Sequence, residues 1–140
     1  MSDTSDTADS DRIDEIRRQK MDEIRQRAGE ERAARDEPVH VNGQAEFEEL
    51  VGGEGPVLVD FYADWCGPCK MLEPTVNELA AETSATVAKV DVDANQPLAA
   101  QYGVRGVPTL LVFADGEPVE RVVGVRGKDE LTSLLAEHGA

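Results

Sequence analysis

Apolar residues are spaced along residues 39–137 in a way that predicts alternating strands and helices. The run Pro56–Tyr62 (PVLVDFY) is almost continuously apolar and is bounded by turn residues, which is typical of a central strand covered on both faces. Shorter apolar runs predict strands at 39–41, 86–92, 109–113 and 118–123, and Asp115-Gly116 predicts the turn between the last two.

Apolar residues at helical spacing predict a helix in each remaining interval. Helices are expected at 44–51, 69–82, 97–102 and 129–137, and Gly52-Gly53 should end the first of them. The apolar side of the second helix is expected to comprise Met71, Leu72, Val76, Leu79 and Ala80. The order β-α-β-α-β-α-β-β-α predicts an α/β fold with a central mixed sheet of four or five strands flanked by helices.

Residues 1–37 have a different pattern, which predicts a charged extension in front of a domain over residues 38–140. Residues 2–9 contain only Ser, Asp, Thr and Ala, so we expect disorder there. Residues 11–35 predict a charged helix with Ile13, Ile16 and Ile24 on one side. Asp9 or Ser10 should cap its start, Gly29 should interrupt it, and it should end before Pro38. A solvated helix, a helix that binds a partner or another copy, and a membrane-surface helix all remain open.

The net charge of the chain limits the classes of molecule that it is expected to bind. A net charge of -15 should repel nucleic acids and anionic lipids, so neither is expected as a partner. Arg outnumbers Lys and acidic residues are abundant, which favours a halophile with a high-salt cytoplasm over an ordinary acidic protein. No apolar run approaches the ~20 residues that span a bilayer. The first residues do not resemble a secretory signal, so a cytoplasmic location is expected.

The two cysteines, Cys66 and Cys69, occur in the segment FYADWCGPCK, where a predicted strand leads into a predicted helix. The amide groups and dipole of a helix N-terminus stabilise negative charge, so the pKa of Cys66 should be lowered. Gly67 and Pro68 should form the tight entry turn, and Cys69 should lie one turn further in and more buried. This arrangement predicts that Cys66 attacks a substrate disulfide and that Cys69 then resolves the mixed disulfide.

A C-x-x-C pair is also found as half of a zinc site, which needs two further Cys or His ligands. The two histidines of the chain, His40 and His138, lie far apart in the sequence and have no paired ligand. We therefore predict no metal site and expect both histidines at the surface.

WCGPCK preceded by VLVDFYAD, and the later segment VAKVDVDANQPLAAQYGVRGVPTLLVFADGE followed by VVGV, resemble the thioredoxin family along most of residues 39–140. The resemblance implies the thioredoxin fold and a monomeric protein-disulfide reductase without a bound cofactor, which a thioredoxin reductase recycles. The Gly-Pro spacer is that of reducing members, whereas oxidising members usually carry a His there. A reductase for a single partner and a thioredoxin-like binding subunit are the alternatives.

The resemblance also implies roles for individual residues. Asp60 matches a buried acid that exchanges a proton with the second cysteine, Cys69, and burial should raise its pKa towards neutrality. Lys89 matches the lysine that faces this acid, and Pro74 matches a proline that kinks the long helix. Pro108 matches a cis-proline that faces the disulfide, beside backbone groups of Val107 that would bind an extended substrate. The implied substrate-binding surface comprises Trp65, Gly67, Pro68, Gly106, Val107, Pro108 and Gly124.

Overall fold

The computed structural model describes residues 12–25 and 36–140. Residues 12–25 form a helix, α1, in which every residue is exposed, including Ile13, Ile16 and Ile24 of the predicted apolar side. A helix is therefore observed over residues 12–25 of the predicted range 11–35. The predicted disorder of residues 2–9, the cap at Asp9 or Ser10 and the break near Gly29 lie outside the described residues.

Residues 36–140 fold around a five-stranded sheet. The strands are β1 (Val39–His40), β2 (Val57–Tyr62), β3 (Thr86–Asp91), β4 (Thr109–Ala114) and β5 (Glu117–Val123). Their order in the sheet is β1-β3-β2-β4-β5. Strands β1 and β2 run parallel to β3, whereas β4 runs antiparallel to both β2 and β5. The mixed sheet predicted from the sequence is thus confirmed, with β2 at its centre.

Four helices flank the sheet within residues 36–140, and each begins and ends within two residues of its predicted position. They are α2 (Gln44–Val51), α3 (Gly67–Glu82), α4 (Gln96–Gln101) and α5 (Lys128–Glu137). Helix α3 begins earlier than predicted because Cys66 is its N-cap and Pro68 fits the first turn, where no backbone N–H donor is needed. Pro74 lies inside this helix, as the resemblance implied.

The prediction that Met71 belongs to the apolar side of α3 is wrong, because its side chain is 73% exposed. The buried residues of α3 are Cys69, Leu72, Val76, Leu79 and Ala80. Successive helical residues are rotated by about 100°, so Met71 turns away from the sheet although Leu72 faces it. Met71 is instead an exposed apolar residue close to the cysteines in the sequence.

The core lies on both faces of the sheet because side chains of β2 alternate between them. Val57, Val59 and Phe61 pack on one face with Phe47 of α2. On the other face, Leu58 packs with residues of α3 and α5 such as Leu72, Leu79 and Leu131. Asp60 continues the series that Leu58 begins, so it points towards the side of the sheet that α3 covers.

Across residues 12–25 and 36–140, no helix has both the length and the apolar character needed to cross a membrane.

Candidate active site

Cys66 and Cys69 form a disulfide at the point where the chain leaves central strand β2 and enters α3, with their Cα atoms 5.3 Å apart. The backbone N–H of Cys69 donates a hydrogen bond to Cys66 Sγ at 3.2 Å. The first turn of α3 has the sequence Gly-Pro-Cys-Lys, which adds a positive side chain and no negative one. A free N–H group, the helix dipole and Lys70 therefore all favour a thiolate at Cys66 after reduction.

Both cysteines are buried in this disulfide state, so the greater depth expected for Cys69 is not seen in their exposures. Cys66 is 4% exposed and Cys69 is 6% exposed. The reason is the loop before β4, which covers Cys66 and brings the carbonyl oxygen of Val107 to 3.7 Å from Cys66 Sγ. Ala63, Cys66 and Cys69 consequently form a small buried cluster with Tyr62, Val92 and Val107 around it.

Two hydrogen bonds hold the loop that covers Cys66. The peptide bond between Val107 and Pro108 is cis. On one side Thr109 Oγ1 donates to the carbonyl oxygen of Gly106 at 2.7 Å, and on the other Gly124 N–H donates to that of Pro108 at 2.9 Å. Gly124 has a φ of +90°, which favours glycine, whereas a Cβ at Gly106 would meet no atom within 4 Å. The space beside Gly106 is therefore open.

Trp65 stands beside this loop with 71% of its surface exposed. Its Nε1–H donates to Asp93 Oδ2 at 2.9 Å, which fixes the orientation of the indole ring. A cavity of about 100 Å³ lies between Trp65 and the loop, lined also by Val92, Val104, Arg105, Gly106 and Val107. One side of the cysteine pair thus has an exposed apolar side chain and a loop with open space beside it.

Asp60 lies in central strand β2, on the face of the sheet that α3 covers, and is 1% exposed. Its Oδ1 atom has no hydrogen-bond partner among the described residues. Burial raises the pKa of Asp60 from 3.8 to about 6, while Lys89 lowers that pKa and Glu73 raises it. The carboxyl group can therefore take up and release a proton close to neutral pH.

Lys89 is the register partner of Asp60 on the neighbouring parallel strand β3 and is 8% exposed. Its ammonium group, however, makes an ion pair with Glu73, with 3.8 Å between Lys89 Nζ and Glu73 Oε1. The same nitrogen lies 4.6 Å from the centre of the Tyr62 ring. A cavity of about 170 Å³ is lined by His40, Tyr62, Ala63, Asp64, Cys69, Lys70, Glu73 and Lys89.

Glu73 is the residue of this region that the sequence analysis missed. It lies four residues after Cys69 on α3, and residues at that spacing share one side of a helix. That spacing was a signal visible in the sequence. Its meaning depends on the packing of α3 against β3, which brings Glu73 to Lys89.

Two further features of residues 36–140 lie away from the cysteines. A cavity of about 620 Å³ lies at the β1 edge of the sheet; its lining includes Val39 and Leu50 but no cysteine. Glu120, Glu137 and His138 hold their ligand atoms within 4.8 Å of one another. His138 Nε2 lies 3.2 Å from Glu120 Oε1, at hydrogen-bond distance.

Comparisons with known proteins agree with this geometry. Residues 38–137 match the family model described as Thioredoxin. The thioredoxin of Chlamydia muridarum is 48% identical over 101 residues, which cover 71% of this chain and 98% of that protein. A thioredoxin of Staphylococcus aureus is 50% identical over 96 residues, which cover 67% of this chain and 91% of that protein. The solved structure of a mutant thioredoxin from Halobacterium salinarum superposes with a TM-score of 0.74 and 57% identity, covering 76% of this chain and 94% of that one.

Proposed function

Since the chain belongs to the thioredoxin family and is a protein dithiol–disulfide oxidoreductase, we propose that it acts in the cell as a general reductant of protein disulfides. The observation that carries this proposal is the placement of the Cys66–Cys69 disulfide between two unlike surroundings. Exposed apolar surface at Trp65 adjoins Cys66. Cys69 lines a cavity with Lys89, the register partner of Asp60, which is a buried acid with a raised pKa.

Cys66 is the nucleophile of the proposed reaction. Its thiolate attacks one sulfur of the target disulfide, forms a mixed disulfide and releases the other target sulfur as a thiolate. Cys69 then loses its proton and attacks Cys66 Sγ, which releases the second target sulfur. Two electrons have passed to the target, and Cys66 and Cys69 are left as a disulfide.

Asp60 is the proposed proton acceptor for Cys69, and Lys89 modulates it. A carboxyl group with a pKa of about 6 is ionised at neutral pH and still basic enough to take a proton during the resolving step. The cavity that Cys69 shares with Lys89 has a volume of about 170 Å³, which leaves room for water to relay the proton.

The target protein is proposed to bind on the exposed side as an extended segment. Backbone groups of Val107 would hydrogen-bond to this segment, and the open space beside Gly106 would admit its backbone. Trp65 would contribute apolar contact area. The remaining residues of the proposed surface are Gly67, Pro68, Pro108 and Gly124.

The cellular setting is proposed from charge and from the relatives. A thioredoxin reductase would return the disulfide to the dithiol, in a cytoplasmic protein that acts as a monomer with residues 38–140 as its functional domain. A net charge of -15 disfavours nucleic acids and anionic membranes as partners. The same charge, and the 57% identity to the protein from Halobacterium salinarum, support a high-salt cytoplasm.

The midpoint potential of the Cys66–Cys69 couple tests the proposed direction of electron flow. Thiol redox titration at low and high potassium chloride should give a value near ~−270 mV, which is typical of thioredoxin. A value of about −120 to −180 mV would instead indicate disulfide formation or isomerisation. If the protein works in a high-salt cytoplasm, its fold and its midpoint potential should be maintained at the higher potassium chloride concentration.

The breadth of targets is tested separately with Cys69→Ser, which leaves Cys66 able to attack and unable to be released. Mixed disulfides with many different proteins would support a general reductase. Capture of one protein alone would indicate a reductase for a single partner. The matched control is Cys66→Ser, which should trap none by this route.

A further inference from the structure

Glu73 is the exposed residue of a set of three charged residues in which Lys89 lies between it and the buried Asp60. The Glu73 side chain is 54% exposed and that of Lys89 is 10% exposed, and their charged atoms lie 3.8 Å apart. Lys89 is also the register partner of Asp60, so both side chains leave the sheet on the face that α3 covers. The flexible stem of Lys89 could therefore bring its ammonium group to either carboxylate, and the structure shows it paired with Glu73.

Lys89 of β3 and Glu73 of α3 are the charged groups that shift the pKa of Asp60. Both line a small cavity, to which α3 also contributes Lys70 and Cys69. His40 of β1, Tyr62 of β2 and Asp64 of the following loop line the same cavity. Lys89 is the buried cation of this set, whereas Lys70 and His40 are exposed. Among these charged groups Lys89 therefore has the largest influence on the pKa of Asp60, while burial is the main cause of its rise.

Because Asp60 exchanges its proton with Cys69 under the function proposed above, we propose that Glu73 is a positioning residue for this transfer. It holds the Lys89 ammonium group on the solvent side of the cavity and prevents a direct ion pair between Lys89 and Asp60. The Asp60 carboxyl group consequently remains able to accept and return a proton.

Removal of the Glu73 charge should act on Asp60 in two ways that have the same sign. The direct repulsion between the two carboxylates, which raises the pKa of Asp60, would disappear. Lys89 would also be free to approach the unpaired Oδ1 atom of Asp60, and a closer cation stabilises the ionised carboxylate. Both changes favour ionisation, so Asp60 should hold its proton less tightly.

The test uses the full-length chain with Glu73→Gln, which keeps the size of the side chain and removes its charge. The Asp60 carboxyl is titrated by carbon-13 NMR in the oxidised protein, and the pH dependence of the resolving step is measured with insulin as the disulfide probe. We expect the titration midpoint of Asp60 to fall by about half a pH unit or more. The acid limb of the rate profile should move by the same amount.

Matched variants separate this effect from general changes of surface charge. Glu78→Gln removes another glutamate of α3, whose partner is Lys128 at 3.6 Å, and should leave both measurements unchanged. His40→Asn removes the ionisable side chain that β1 contributes to the same cavity and should also leave the Asp60 midpoint in place. In a Lys89→Met background, Glu73→Gln should shift the midpoint by less than half as much.

The NMR and kinetic measurements distinguish the two levels of the proposal. An Asp60 midpoint that stays in place in Glu73→Gln would overturn the role of Glu73 and leave the role of Asp60 standing. A shifted midpoint with an unchanged rate profile would support the control by Glu73 and overturn Asp60 as the proton acceptor. Since Glu73 is half exposed, the shift should also shrink at high potassium chloride, where charges are screened.

Discussion

The two sides of the Cys66–Cys69 disulfide differ in the physical means by which they act. The exposed side consists of an oriented tryptophan, 71% exposed, and a loop with open space at Gly106. The buried side consists of Asp60, 1% exposed, with Lys89 and Glu73 near it. Contacts on the first side depend on area and shape, whereas a charge on the second side acts in a low-dielectric interior. Substitutions on the exposed side should alter binding, and those on the buried side should alter pH dependence and stability.

The largest effect is expected when Cys66, the attacking residue next to both sides, is replaced. Cys66→Ser should lower disulfide reduction below detection, because a serine hydroxyl neither ionises near neutral pH nor forms a disulfide. Insulin reduction followed by turbidity measures this loss. Retention of activity in this variant would show that the exposed side does not present the attacking sulfur.

The next largest effect concerns the stability cost of the buried acid. The pKa of Asp60 is about 6 in the folded protein and 3.8 as its reference value. A raised pKa in the folded state contributes stability that is fully present below pH ~3.8 and is lost as the pH rises through ~6. Asp60→Asn should therefore stabilise the oxidised protein by up to about 3 kcal/mol at pH 8 and by little at pH 4.

Urea unfolding of both proteins at pH 4 and pH 8, at fixed salt, measures this difference. Asp64→Asn, an exposed neighbour with the same change of side chain, is the control and should show no such dependence on pH. An equal effect of Asp60→Asn at the two pH values would mean that the cost does not come from ionisation. The proposed difference between the buried and the exposed side of the disulfide would then not hold for stability.

Asp60→Asn should also slow the resolving step, because Cys69 would lose its proposed proton acceptor. We expect a reduction of about 10- to 100-fold near neutral pH, the usual range for loss of a general base being 10²–10⁴, with solvent partly replacing it. Stopped-flow decay of the mixed disulfide measures the step. A normal rate over the whole pH range would leave Asp60 as a structural group.

A smaller effect is expected on the exposed side. Trp65→Ala removes apolar contact area and should raise the KM for a protein disulfide by about tenfold, with kcat for a small disulfide such as oxidised glutathione changed far less. Val119→Ala, at an exposed residue of β5, is the matched control. A shift in the pH profile with no change in KM would contradict the division between the two sides.

The smallest effect should come from removal of residues 1–35. Every residue of α1 is exposed, and the family match covers residues 38–137. The shortened chain should keep its midpoint potential and its rate with insulin within about twofold, well under the tenfold that 1.4 kcal/mol represents. A larger loss would place a contribution to the reaction in the first 35 residues and would contradict the proposed domain boundary.

Prediction from the sequence succeeded where the signal was local and failed where it depended on the neighbour. The continuous apolar run of β2 identified the central strand, because a strand covered on both faces needs apolar residues at every position. Met71 was misplaced because a single helical step separates it from the buried Leu72. The similar burial of the two cysteines was not foreseen because Val107, which lies against Cys66, is 41 residues away in the chain.

The sequence by itself determined the order of strands and helices, the redox pair and the strand that carries Asp60. These properties follow from periodicity and from adjacent residues, so they do not depend on how the elements pack. Only the tertiary structure decided that the Lys89 ammonium group pairs with Glu73. It also decided that Asp60 Oδ1 has no hydrogen-bond partner within residues 12–25 and 36–140. The balance among three charges depends on distances of a few ångströms between β2, β3 and α3, because electrostatic energy in a buried region changes steeply over such distances.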